Sequence, residues 1–248
     1  MFETIETVET VGVTNTTADT TAHPPRRTLG DISAKLAGVG GIAFAAIVVL
    51  QNIIRGGSAP ANGATSAEVL THYADHRAIT FVLIATFVLS GAGLAVFLGG
   101  AMRRLMDSER RGWALTGFVG ATGIMALFAV VVGTEQALSV VAGRSQASVA
   151  AIEALWGLHN SIFTVLDLFI ATALLGLSRA GIAAGITPRA FARLAPVGSA
   201  LLLVGTLAGP SIAAGDAMPL FGLAGAGFLI WLAFLVTTGS RLVRSRES

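Results

Sequence analysis

The stretch "LHNSIFTVLDLFIATALLGLSR", residues 158–179, decides the fold. Between His159 near its start and Arg179 at its end, Asp167 is its single ionisable residue. About 20 consecutive, mostly apolar residues make a helix long enough to cross the ~30 Å hydrocarbon core of a bilayer. The run is apolar throughout and does not alternate, so it is no strand of a membrane barrel. It reads as a spanning helix, and its aspartate as a group that needs a reason to be there.

Five other runs resemble it. With 158–178 they lie at roughly 35–54, 78–100, 112–133, 194–214 and 217–238. The chain has 248 residues, of which 54% are hydrophobic and 12% charged. Soluble domains carry about 25% charged residues, so this composition leaves too little polar surface to cover a soluble globule. The expected class is all-α: a polytopic membrane protein with a bundle of six transmembrane helices, and the lipid bilayer as first partner. The absence of cysteine excludes disulfides, thiolate catalysis and Cys-ligated metal sites. Nucleotide, kinase, hydrolase and zincin signatures are absent too, so an enzyme is the less favoured class.

A sequence pI near 9.9 could suggest a nucleic-acid partner. The placement of the charges argues for none. Arg26, Arg27 and Lys35 precede the first run, and Arg103, Arg104, Arg110 and Arg111 lie between the second and third. Arg179, Arg189 and Arg193 lie between the fourth and fifth, and Arg241, Arg244 and Arg246 follow the last. Only Arg55, Arg77 and Arg144 fall on the opposite side. That asymmetry is how membrane proteins set their orientation, and it predicts that both termini are cytoplasmic. Residues 1–32, Thr-rich and closed by a Pro-Pro pair, read as a disordered cytoplasmic tail. Residues 33–240 form the six-helix domain and 241–248 a basic cytoplasmic tail. The bias of fifteen Arg to one Lys suggests a GC-rich bacterial source.

On the outer side, Thr65-x-x-Glu68 has the spacing of a capping box and predicts a short helix leading into the second span. The segment 134–157 reads as a second long loop, with an amphipathic helix in its latter half and Trp156 at headgroup level. "AAGDAMP" reads as a tight turn. Small residues recur at close-packing spacing: Gly205 with Gly209, Gly41 with Ala45, Gly91 with Ala95, and Gly117 with Ala121. They fit packing of this chain's own bundle, or a homo-oligomer or other membrane subunits.

Two polar constellations carry possible function. Asn160, Thr164 and Asp167 fall within about 60° of arc on one helix face, a stripe descending from the outer surface. One reading is a proton-titrating or solute-contacting group in a cavity; the other is a hydrogen-bonded Asp that holds helices together. The second set lies at the outer mouth: His72, His76, His159, Glu135 and Asp216. It could hold a metal or haem, or it could be the polar residues that helix ends ordinarily carry.

Two segments carry a likeness: "YADHRAITFVLIATFVLSGAGLAVFLGGAMRRL" (73–105) and "ALWGLHNSIFTVLDLFIATALLGLSRAGIAAGITPRAFARLAPVGSALLL" (154–203). Together they resemble the uncharacterised six-helix integral membrane proteins of actinobacteria. The resemblance implies a helical bundle in the bacterial plasma membrane and assigns no functional residue. The expected function is therefore non-catalytic, accessory or solute-handling, either alone or as a subunit of a larger membrane complex. Its alternatives are a metal- or haem-binding protein using the outer histidines and a small proton-coupled transporter using Asp167.

Overall fold

The computed structural model describes residues 29–56, 59–144 and 148–244. All elements among them are helical: α1 (Leu29–Gly56), α2 (Ser66–Asp75), α3 (Arg77–Met106), α4 (Arg111–Ala142), α5 (Val149–Ala183), α6 (Phe191–Leu207), α7 (Gly209–Ala213) and α8 (Met218–Arg244). The tail up to residue 28, with His23, and residues 245–248 lie outside the described residues. Five helices are long and apolar enough to cross a membrane: Ser33–Gly56 of α1, and α3, α4, α5 and α8. Their outward faces carry large apolar side chains such as Val88, Val119 and Leu229, each more than 60% exposed. A soluble protein does not show so much contiguous apolar surface, and here it faces the bilayer.

The fifth apolar run is not one helix. It breaks at Ala208 into α6 and α7. The cause is Pro210, which has no N–H to give and whose ring crowds the carbonyl of the preceding turn. The Ala208 N–H still reaches Val204 O at 3.0 Å, and Ile212 N reaches Ala208 O at 2.9 Å, so the two pieces meet end to end.

Packing neighbours close the bundle in the order α1, α3, α4, α5, α6, α8 and back to α1. The seams are built on glycine. Gly40 meets Gly93 between α1 and α3, Gly38 meets Gly239 between α1 and α8, Gly117 meets Gly176 between α4 and α5, and Gly198 meets Gly227 between α6 and α8. A Cβ on Gly93 would lie 2.8 Å from the Gly40 carbonyl oxygen, which no packing adjustment absorbs. In lipid, such backbone approach takes the place of the hydrophobic drive that assembles soluble cores. The glycines of the spaced pairs turn inward as well: Gly41 onto Phe97, Gly91 onto Met125, Gly117 onto Leu177, Gly205 onto Ala224 and Asp167, and Gly209 onto Thr164.

The connections from α1 to α3 and from α4 to α5 depart from the expectation. The segment 134–157 is not a long loop, because α4 runs on to Ala142 and α5 begins at Val149. At 1.5 Å per residue these helices are about 48 and 52 Å long, well beyond the ~30 Å core. Their projecting ends stay helical because they have something to pack on. Val69 and Tyr73 of α2 form a separate small core with Leu138, Ile152 and Trp156. Trp156 is thus 7% exposed, packed inside a helical cap rather than on the surface of the bundle. The capping box is present: Thr65 Oγ1 accepts from Glu68 N, and the Glu68 carboxylate accepts from Thr65 N at 2.8 Å.

Candidate functional site

Glu135 sits near the C-terminal end of α4, inside the cap and 4% exposed. A carboxylate in such a place needs compensation. Arg55, at the end of α1, supplies it in a two-pronged pair: Nε to Oε1 at 3.2 Å and Nη2 to Oε2 at 2.9 Å. His159 of α5 closes the group, its Nε2 lying 3.3 Å from Glu135 Oε1. Nε2 donates in this contact, because a carboxylate only accepts. The other ring nitrogen, Nδ1, lies 3.1 Å from Asn160 Oδ1, and the ring stacks on Trp156.

Above this group lies a lid. The carbonyl oxygen of Asn62, in the turn before α2, accepts from Trp156 Nε1 at 3.2 Å and from Asn160 Nδ2 at 3.0 Å. Asn62 Nδ2 donates to Ile212 O in α7 at 3.1 Å. One asparagine thereby ties the turn before α2 to α5 and to the broken helix. Asn160 keeps its place on the α5 face of Thr164 and Asp167, with its amide group bonded to this lid.

Below the lid, Thr164 and Asp167 line a cavity of about 220 Å³ among α1, α4, α5 and α8. Asn52 and Arg55 of α1 share its wall, together with Phe128, Phe163, Phe221 and Phe228. Thr164 Oγ1 donates to Ser161 O at 2.8 Å, and Asn52 Nδ2 donates to Val48 O at 2.8 Å. Among the described residues the Asp167 carboxylate has no hydrogen-bond or ion-pair partner. The break in α6–α7 lies against it. A Cβ on Gly205 would come within 2.7 Å of Asp167 Oδ2, and one on Gly209 within 2.8 Å of Thr164 Oγ1.

The outer-mouth set does not assemble as one ring. His72 and His76 stack on each other with ring centroids 4.6 Å apart. Asp216 lies on an open cleft of about 600 Å³, with Glu68 and His72 on its walls. His72, Glu135 and His159 share a void of only about 40 Å³, with Arg55 as a further wall. Among the described residues, no three His, Cys, Asp or Glu side chains are placed to hold a metal ion. The physical reason is Arg55: both Glu135 oxygens are already engaged by a cation, and a metal ion there would face the guanidinium.

In the cap, burial holds the His72 imidazole below its ordinary range, and the adjacent His76 pushes the same way, against Glu135 and Asp75. Burial also raises the Tyr73 phenol. The Thr65 backbone and side-chain donors hold the Glu68 carboxyl below its usual value.

Two functional residues carried no clear signal in the sequence. Arg55 counted only as a charge on the minority side, and Asn62 as part of a loop. The Asn62-Gly63 turn signal was present, but its partners lie about a hundred residues away along the chain. Comparison with protein-family models, with characterised proteins and with solved structures gives no match.

Proposed function

We propose that this chain is a six-span protein of the bacterial plasma membrane, with both termini cytoplasmic, and that it handles a small solute without catalysing a reaction. The observation that carries the solute reading is Asp167, a carboxylate without a partner on the wall of an internal cavity. A carboxylate near mid-bilayer costs about 2.5–3.5 kcal/mol on insertion scales. A structural carboxylate recovers that cost through hydrogen bonds, and this one makes none among the described residues. A break in a spanning helix beside it is the arrangement by which transporters place backbone next to a midplane site. The six-span count is supported by α6 and α7 lying end to end, and the orientation by the clustering of Arg at one end.

The absence of cysteine makes the test direct, since any single Cys labels without background. In intact cells an impermeant maleimide labels Ala61→Cys but not Ser108→Cys; the reverse pattern inverts the orientation. For the cavity, Asp167→Cys reacts with a small thiol reagent in the folded protein, and bound solute slows that reaction. A Cys at 167 that stays inert to every reagent until the protein is unfolded would sink the solute reading.

A further inference from the structure

We propose that the cavity at Asp167 takes a lipophilic cation, such as an aryl or alkyl ammonium, and admits it sideways from the bilayer through the seam between α1 and α8. The proposal rests on the solute reading above and names the ligand class and the route.

The class follows from which groups in the cavity remain uncommitted. Arg55, the cation on the wall, is matched by Glu135 through two hydrogen bonds. The Thr164 hydroxyl proton goes to Ser161 O and an Asn52 amide proton goes to Val48 O. Few donors remain for an anion or a polyhydroxy solute. What is left over is one carboxylate among four phenylalanines drawn from α4, α5 and α8. Aromatic faces carry the negative side of the ring quadrupole, so rings and carboxylate favour the same guest: a positive charge with an apolar body. Such a cation is the counter-charge that Asp167 lacks.

The route follows from the two ends of the α1–α8 seam. At its inner end Gly38 and Gly239 bring the backbones into contact. Toward the outer end, Gly222 and Gly225 have no atom within 4 Å of where a Cβ would stand, so these glycines open space where the others close it. The seam widens there into a groove of about 510 Å³, lined by Val49, Ile53 and Leu229 among others. Ile53 and Leu229 are 68% and 64% exposed, on the apolar surface that faces lipid. Asn52, Gly225 and Phe228 line both the groove and the inner cavity, so the two spaces share a wall. One turn along α5 from Thr164, Asn160 is tied to Asn62, which also bonds Ile212 O of α7. A cation partitioned into the outer leaflet meets the groove first.

The test uses the full chain in nanodiscs with two probes of nearly one shape, benzyltrimethylammonium and its uncharged carbon isostere neopentylbenzene. Expected is saturable binding of the ammonium, with about tenfold or greater weakening in Asp167→Asn and no such loss for the isostere. Gly222 lines the groove only, so Gly222→Leu is expected to slow ammonium binding about tenfold with little change in final affinity. Equal binding of both probes, unaffected by Asp167→Asn, overturns the cation class while leaving a ligand cavity in place. An unchanged rate in Gly222→Leu overturns the lateral route. Binding of neither probe overturns the whole inference, and the Asp167→Cys accessibility test then shows separately whether the solute reading falls with it.

Discussion

The group formed by Arg55, Glu135 and His159 allows a quantitative prediction. The pair lies in a cap with 16% and 5% of its side chains exposed, and its shortest contact is 2.9 Å. With charge centres roughly 4 Å apart and an effective dielectric near 20, attraction is worth about 4 kcal/mol. Desolvating both ions cancels most of that, so the pair as a unit contributes little net stability. Removing one partner is different, because the other stays behind uncompensated, at a cost of about 3–5 kcal/mol. The two single changes differ, however. In Glu135→Leu the stranded group is Arg55, whose long stem can turn its charge toward the unpartnered Asp167 across the cavity, which places the cost at the low end, about 3 kcal/mol. In Arg55→Met the stranded group is Glu135, short and 4% exposed, with only His159 left, which places the cost at the high end, about 5 kcal/mol. The double variant Arg55→Met/Glu135→Leu is expected to cost only about 1–2 kcal/mol, since both charges leave together and what stays unpaired is the His159 Nε2–H. Reversible SDS unfolding in mixed micelles, run as a double-mutant cycle, measures all three. Additive single effects, or a Glu135→Leu more damaging than Arg55→Met, would refute the reasoning.

Asp167→Leu is expected to raise stability by up to about 3 kcal/mol in the same assay, because it removes an unpartnered carboxylate from the span; a loss instead means that Asp167 holds helices together. Gly176→Ala is expected to cost about 1–3 kcal/mol, since its Cβ meets the Gly117 and Trp113 backbones, whereas Gly222→Ala in open space is neutral or stabilising by up to about 1 kcal/mol. The lowered pKa of His72 makes the unfolded chain the better proton binder. Its contribution is therefore fully present above about pH 6.5 and is lost as pH falls through the folded value, so Tm drops on acidification and His72→Gln flattens that drop.

Five of the six apolar runs were legible as helices of spanning length because their signal is long and simple: twenty apolar residues admit one structure in lipid. The capping box was equally legible, since Thr65 and Glu68 satisfy each other locally. The segment 134–157 misled for the opposite reason. Its polar residues looked like a loop because the groups that satisfy them are remote. Glu135 is matched by Arg55, eighty residues earlier, and by His159 on the next helix. The break at Pro210 carried its own local cause, but the hydropathy of the run masked it. Of the candidate site, Thr164 and Asp167 were found together as helical spacing required. Asn160, on the same face, is bonded to Asn62, a residue that no periodicity could connect to it.

Arg55 links the two parts of the site, because its side chain lies on the wall of the inner cavity and in the ion pair of the cap. Whatever occupies the cavity near Asp167 thus has Glu135, His159 and the Asn62 lid within one or two contacts. A cationic guest would face Arg55 as a like charge, and the two-pronged pair with Glu135 is what keeps that guanidinium turned toward the cap. Loss of Glu135 frees Arg55 to turn toward Asp167 and fill the role assigned to the guest. Glu135→Leu is therefore expected to abolish ammonium binding from a distance, and Arg55→Met/Glu135→Leu to restore it, since no cation is left to compete. Ammonium binding that survives Glu135→Leu unchanged would separate the cap from the cavity and leave the ion pair with a structural role only.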